Sequence, residues 1–155
     1  MGRRTARRNQ SSLIKSKERV KDLGEVFTPP ELVNEMLNKL PPDCWEPEKT
    51  FLEPACGTGN FLVEILKRKL DAGHTPLQAL STIFAIDIMD DNVKESRKRL
   101  YSIVESRLTE CQKLIAKLQL ERNIICANAL ELDFSGNWPP KKKEVIKKVR
   151  RSKIT

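Results

Sequence analysis

Between Glu53 and Phe61 the chain reads Glu-Pro-Ala-Cys-Gly-Thr-Gly-Asn-Phe, the strongest chemical signal in its 155 residues. Glycines at 57 and 59 let the backbone turn sharply and pass close to a ligand that a Cβ would block. A helix starting beside them presents unpaired N–H groups. In an open α/β sheet, such a strand end is where a ligand binds. The pattern is not a Walker A phosphate loop, because no Gly-Lys-Ser/Thr follows. It is also an incomplete dinucleotide fingerprint, because Leu62 stands where a third Gly or Ala belongs. Gly-x-Gly alone also fits a plain strand-to-helix turn. What adds to it is Asp87, at the end of a second apolar stretch, where a carboxylate can accept both hydroxyls of a ribose. Asp90 and Asp91 are better placed as helix-start acids.

Other chemistries find no support in the residues. The cysteines Cys44, Cys56, Cys111 and Cys126 form no short-spaced pair, and His74 is the single histidine. A structural zinc site would use such pairs, so no metal is expected. No histidine neighbours a nucleophile, as a charge-relay hydrolase requires. Cys44, Cys111 and Cys126 are expected to be small buried apolar residues.

The elements that must position the loop follow from periodicity. Thr28-Pro29-Pro30-Glu31 predicts a helix start, with Thr28 as cap and Glu31 completing a capping box. Leu32, Val33, Met36, Leu37 and Leu40 then form one apolar face, and Pro41-Pro42 ends the helix. Residues 50–54 read as a strand and 60–73 as a helix, apolar at Phe61, Leu62, Ile65, Leu66 and Leu70 and capped by Gly73. Thr75, Pro76 and Gln78 start a short helix. Residues 82–87 are a second strand. A helix from Asp90 follows, with Val93, Leu100, Val104 and Leu108 inward. A helical stretch around Leu114, Ile115 and Leu118 leads to a third strand, 123–127. Strand-helix alternation of this kind predicts an α/β fold with a parallel sheet.

The formal charge of +8 is unevenly placed: +6 over residues 1–24, +7 over 141–155, and −5 between them. Basic arms attract phosphate backbones by counterion release, or serve as solvated tails. No apolar run approaches the roughly 18 residues that span a bilayer. Nor does an apolar segment follow the N-terminal arginines, as in a signal peptide. A cytoplasmic protein with no membrane partner is expected.

Four segments together carry a resemblance: GEVFTPPELVNEML, FLEPACGTGNFLVEIL, IFAIDIMDDNV and NIICANAL, spanning about residues 24–133. They resemble, in order and spacing, the S-adenosylmethionine-dependent DNA adenine-N6 methyltransferases. The likeness is greatest to the class whose cofactor motifs precede the catalytic one, as in type I and many phage or type II modification subunits. The resemblance implies a Rossmann-like methyltransferase fold, here as a truncated parallel sheet flanked by helices, with S-adenosyl-L-methionine as cofactor. Carried over by position, Phe27, Thr28 and Pro29 match the motif that closes over the methionine end. Glu53, Pro54, Ala55, Cys56, Gly57 and Gly59 match the glycine-rich loop, and Phe61 the aromatic after it. Asp87 matches the ribose-binding acid and Ile88 the apolar residue against the adenine. Asn128 and Ala129 match the motif whose first residue, usually Asp, accepts from the adenine amine. An Asn carbonyl can still accept there without a charge.

The family's catalytic motif, Asn/Asp-Pro-Pro-Tyr/Phe, holds the extruded adenine. It is missing from these 155 residues, so no catalytic residue is assigned. Thr28-Pro29-Pro30-Glu31 has the prolines without the aromatic, and Asn137-Trp138-Pro139-Pro140 has the right residue types in the wrong order. The expected organisation is a basic arm (1–23), a cofactor-binding domain (24–136) and a basic tail (137–155). Three readings follow. The chain is the cofactor-binding part of an adenine methyltransferase, truncated or completed by a partner. Alternatively it is a non-catalytic nucleic-acid- or protein-binding module on that scaffold. In the third, it is a small methyltransferase for another substrate. DNA is the expected partner of the basic termini. A second copy or a partner subunit is expected across the open sheet edge.

Overall fold

The structure is a computed structural model that describes residues 13–144. Three short strands, Phe51–Glu53 (β1), Ile83–Asp87 (β2) and Ile124–Cys126 (β3), pair in parallel in the order β1-β2-β3. The chain is therefore α/β, with helices connecting successive strands. Lys17–Leu23 (α1) and Pro30–Leu37 (α2) precede the sheet. Asn60–Asp71 (α3) and Pro76–Ser81 (α4) join β1 to β2. Asp90–Val104 (α5) and Glu110–Asn123 (α6) join β2 to β3. Leu132–Asp133 (β4) and Lys141–Lys142 (β5) form a separate antiparallel pair.

Strand alternation sorts the sheet into two faces. Register places Glu53 beside Ala85 and Ala85 beside Ile124, with Phe51 beside Ile83. Ile83, Ala85 and Ile124 are buried in one core with Leu62, Leu66, Leu80, Val93, Leu100, Val104 and Leu120 from the helices. The opposite rows are Leu52–Phe84 and Ile86–Ile125. Ile86 is buried, but Leu52 is 49% exposed. Trp138 packs on Phe84 in a tilted ring pair, centroids 5.0 Å apart and planes at 54°, and donates its indole N–H to the Arg122 carbonyl.

Local signals explain most helix ends. Thr75 and Gln78 form the expected capping box of α4, and Thr109 and Gln112 form another on α6. The α3 terminus closes with Gly73 N–H donating to the Leu70 carbonyl and His74 N–H to the Lys69 carbonyl, a Schellman pattern. Lys69 itself is buried, its ammonium donating to the Lys49 carbonyl and lying 5.1 Å from the Phe51 ring centroid. Burial holds its pKa below the ordinary lysine value.

Several expectations are corrected. Thr28 does not cap α2; the N-cap is Pro29, extended at φ −66°, ψ 148°, without a side-chain bond. Pro30 disfavours helical geometry in the residue before it, so the helix starts at Pro30 itself. Only Val33 and Leu37 of its apolar face are buried, and Leu32, Met36 and Leu40 are exposed. In α6 the inward residues are Ala116, Leu120 and Asn123, while Leu114, Ile115 and Leu118 face solvent. Asn123 donates to the Leu80 carbonyl, turning that stripe toward α4. Cys111 and Cys126 are exposed and Cys44 is half-buried; Cys56 is the buried cysteine.

Described residues on both sides of 24–136 make contacts with the body. Residues 15–27 are tied to the body through Lys15 and Arg19, and Phe27 N–H donates to the Leu13 carbonyl. Residues 138–143 also fold back, through Trp138 on Phe84 and Lys143 N–H donating to the Glu131 carbonyl. Of the basic termini, residues 1–12 and 145–155 lie outside the described residues.

Candidate functional site

A cleft of about 600 Å³ opens where β1 and β2 end and the loop enters α3. Its size falls in the range of small-molecule sites. Twelve of the fourteen residues expected at a site line it: Phe27, Thr28, Glu53, Pro54, Ala55, Cys56, Gly57, Phe61, Asp87, Ile88, Asn128 and Ala129. Pro29 and Gly59 are not in its wall, and their roles are structural. Pro29 caps α2. Gly59 (φ +89°) is the α3 N-cap, and a Cβ there would lie 2.9 Å from the Ser96 hydroxyl oxygen. Gly57 (φ +53°) meets the strap instead, where a Cβ would lie 2.9 Å from the Phe27 ring. Both glycines thus combine a left-handed backbone with a close approach.

The acids are placed by strand alternation. Glu53 and Asp87 belong to the helix-covered side of the sheet and sit at the strand ends. Glu53 accepts from Ala55 N–H at 3.1 Å, while burial raises its carboxyl above the usual range. Asp87 is buried. Its Oδ2 accepts from Gly57 N–H at 2.8 Å, and its Oδ1 accepts from Met89 N–H at 2.9 Å and from the Asn92 amide at 3.0 Å. A carboxylate offers about four acceptor positions, so one remains, on Oδ2. With the loop in this form Asp87 takes one further hydroxyl rather than two. Asn128 Oδ1 accepts from Leu130 N–H at 3.1 Å, capping the 3-10 turn Ala129–Glu131. One lone pair is left for a ligand amine.

Cys56 is no nucleophile. Burial pushes its thiol up to about 12, and its sulfur lies 3.8 Å from the Ser96 hydroxyl. Among the described residues, Glu25, Glu53 and Asp87 are the only charged side chains in the wall. A phosphate-bearing ligand would find no cation in this wall to pair with, whereas a cationic ligand meets Glu53 and Asp87, with Glu25 already paired to Arg19 behind the wall. The remaining wall is largely apolar, with Leu23, Val26, Phe61, Ile88 and Leu130 among the contributors.

Several of these residues were not singled out from sequence. Glu25 and Val26 lie inside the segment GEVFTPP, so their spacing from Phe27 was available as a signal. Leu130, 83% exposed, is an apolar residue two positions after Asn128. Supports from α5 were also missed. Asn92, Ser96, Leu100 and Val104 form one buried stripe at four-residue spacing, polar at the loop end and apolar beyond. Ser96 donates to the Gly57 carbonyl at 2.9 Å. Arg99 donates to the Thr58 carbonyl and to Asn60 Oδ1, and the Asn60 amide donates to the Thr28 carbonyl. These bonds tie the loop to the segment carrying Phe27 and Thr28.

The sequence model of the N-6 DNA methylase family matches residues 13–97, more than half of the chain. The chain belongs to the N-6 DNA methylase family. Among curated proteins, the Type II methyltransferase M.VspI of Vibrio sp. (strain 343) is 36% identical over 102 residues. That alignment covers 64% of this chain and 22% of the relative, so the chain spans about a fifth of its length. No solved structure matches. The stretch matched by the N-6 DNA methylase model contains α1, the Phe27–Pro29 motif, the glycine loop, Asp87 and Asn92. Asn128, Ala129 and Leu130 lie beyond it. Among the described residues no helix is long and apolar enough to cross a membrane, and no cluster of His, Cys, Asp or Glu could hold a metal ion.

Proposed function

We propose that this chain is the S-adenosylmethionine-binding part of an adenine-N6 DNA methyltransferase, on a Rossmann-like scaffold. The reading is carried by the cleft: the carboxylates of Glu53 and Asp87, no cationic side chain in the wall, apolar sides, and a glycine at the closest approach. S-adenosylmethionine bears a sulfonium and an ammonium and no phosphate, which suits this charge pattern and disfavours dinucleotides. Glu53 and the strap residues Phe27 and Thr28 would hold its amino-acid end. Asp87 would accept one ribose hydroxyl, and Ile88, Asn128 and Leu130 would bound its base. When bound, the cofactor supplies an electrophilic methyl group.

The amine of adenine is a weak nucleophile, and its usual holder, Asn-Pro-Pro-Tyr, is not in this sequence. Methyl transfer therefore requires that motif from outside these residues, in further chain or in a partner. The exposed Leu52 on edge strand β1 offers such a segment a place to pair, since parallel sheets are normally covered on both faces. DNA would be held by the terminal arginines and lysines. Lys15 and Arg19 are engaged with Asp91, so the N-terminal contribution falls to Arg3, Arg4, Arg7, Arg8, Lys17 and Lys21.

Calorimetric titration with S-adenosylmethionine tests the reading directly. One-site binding is expected, weakened about tenfold or more by Asp87→Ala. No binding at millimolar cofactor would favour the alternative, a non-catalytic nucleic-acid- or protein-binding module. DNA affinity is expected to fall steeply with salt and to vanish when residues 1–22 and 141–155 are removed.

A further inference from the structure

Asn92 is fully buried (0% exposed), on the first turn of α5, and makes three separate links. Its amide donates to Asp87 Oδ1 at 3.0 Å and to Glu25 Oε2 at 2.7 Å, and its Oδ1 accepts from the Lys15 ammonium at 2.7 Å. Both N–H groups and the carbonyl are thereby used. Glu25 and Lys15 belong to the segment 13–28, whose residues 23–28 form one wall of the cleft. Arg19 of that segment reinforces the same cluster. It reaches Glu25 Oε2 at 2.6 Å and both Asp91 oxygens at 2.8 and 3.3 Å. Asp91 also receives the Lys15 ammonium at 2.7 Å.

Two carboxylates sharing one neutral donor are held apart from each other and fixed in rotamer. Met89 N–H and Asn92 grip Oδ1 of Asp87, which leaves Oδ2 turned toward Gly57 and the cleft. Asp87 and the wall segment are therefore oriented by the same amide. We infer that Asn92 is a positioning residue for the cofactor site: it aims Asp87 and latches the strap 13–28, so that strap closure and acid orientation are one event. This inference rests on the assignment of Asp87 as a ligand-binding acid.

The geometry separates this role from simple space filling. An isosteric Asn92→Asp replacement keeps the volume but loses the donors and adds a third carboxylate. Asn92→Ala loses the volume and adds no charge. A positioning amide ranks Asp worse than Ala for cofactor affinity; a space-filler ranks Ala worse. The probe is S-adenosylmethionine titrated calorimetrically into the full 155-residue chain and its variants. Asn92→Ala is expected to weaken binding about tenfold, and Asn92→Asp more. In an Asp87→Ala background, Asn92→Ala should cost less further affinity than in the wild type, because the group it aims is gone and only the strap's share remains.

Hydrogen exchange supplies a ligand-free arm. Asn92→Ala and the strap variant Arg19→Met should both speed exchange at the Phe27 amide, which is bonded to the Leu13 carbonyl. If Asn92→Ala does not fold, Arg19→Met alone should still weaken cofactor binding, by about threefold, while keeping the fold. Unchanged affinity in the variants of a wild type that binds overturns the inference and leaves the cofactor reading standing. So does equal loss with and without Asp87. A wild-type chain that binds no S-adenosylmethionine overturns the cofactor reading first, and the inference with it.

Discussion

The two faces of the sheet are covered by different means. One side lies under α3, α4, α5 and α6, and Ile83, Ala85 and Ile124 on it are essentially inaccessible. The other has Ile86 buried at its centre, Trp138 tilted against Phe84, and Leu52 half in solvent. The helix-covered side also carries Glu53 and Asp87 at its strand ends, so the chemistry and the main core share one face. The difference teaches where this chain is self-sufficient. Its cleft is built and braced by its own helices, while among the described residues the second face is covered less completely and β1 is an edge strand.

Substitutions can break or sharpen this contrast. Leu66→Ala, in the helix-covered core, should destabilise by about 2–5 kcal/mol in denaturant unfolding. Trp138→Ala should cost less, about 1–2 kcal/mol, and should expose Phe84 to an apolar dye. If the two losses are equal, the faces are energetically equivalent and the contrast fails. Leu52→Ser should change unfolding by no more than about 0.5 kcal/mol in the isolated chain, yet weaken any complement that pairs on β1. A large loss in the isolated chain would mean that the edge is already covered.

Two smaller effects depend on pH. Burial raises the Glu53 carboxyl, so the folded chain holds that proton more tightly than the unfolded one. Its contribution to stability is full below the ordinary carboxylate range and is lost as pH rises through the raised value. Glu53→Gln should flatten that segment of the melting profile while weakening cofactor binding. Asp91 shows the opposite sign. Hydrogen bonds from Arg19 and then Lys15 hold its carboxyl well below the usual range. Its contribution is present above about pH 4 and disappears as pH falls through the depressed value. A lower protection factor at the Phe27 amide in acid, taken against the intrinsic exchange rate at each pH, is the measurement. Asp91 is half-exposed, so the effect should be modest.

The framework was legible because its signals are local. The glycine loop, the capping residues Thr75 and Gln78 and the alternation of apolar strands with periodic helices act within a few residues of themselves. Each of these elements is present at nearly the expected bounds. Helix orientation was less legible. In α6 the sequence marks a helical stretch around Leu114, Ile115 and Leu118 without fixing its inward face, which Ala116, Leu120 and Asn123 occupy. The side of a helix that turns inward depends on what its neighbours offer, and the Leu80 carbonyl that receives Asn123 is 43 residues away. The same holds for Cys111 and Cys126, whose type favours burial and whose positions are exposed.

By itself the sequence determined that an α/β chain of the N-6 DNA methylase family would place a glycine-rich turn and a strand-end carboxylate together. Those features rest on backbone conformation and strand period, which neighbouring residues dictate. Only the tertiary structure decided which groups hold that carboxylate. Asn92 and Glu25 lie in recognisable segments, but nothing in those segments says that they bond to each other and join a strap to a strand end across 67 residues of chain. A buried amide becomes informative only once its partners are known, because its value lies in the bonds it completes.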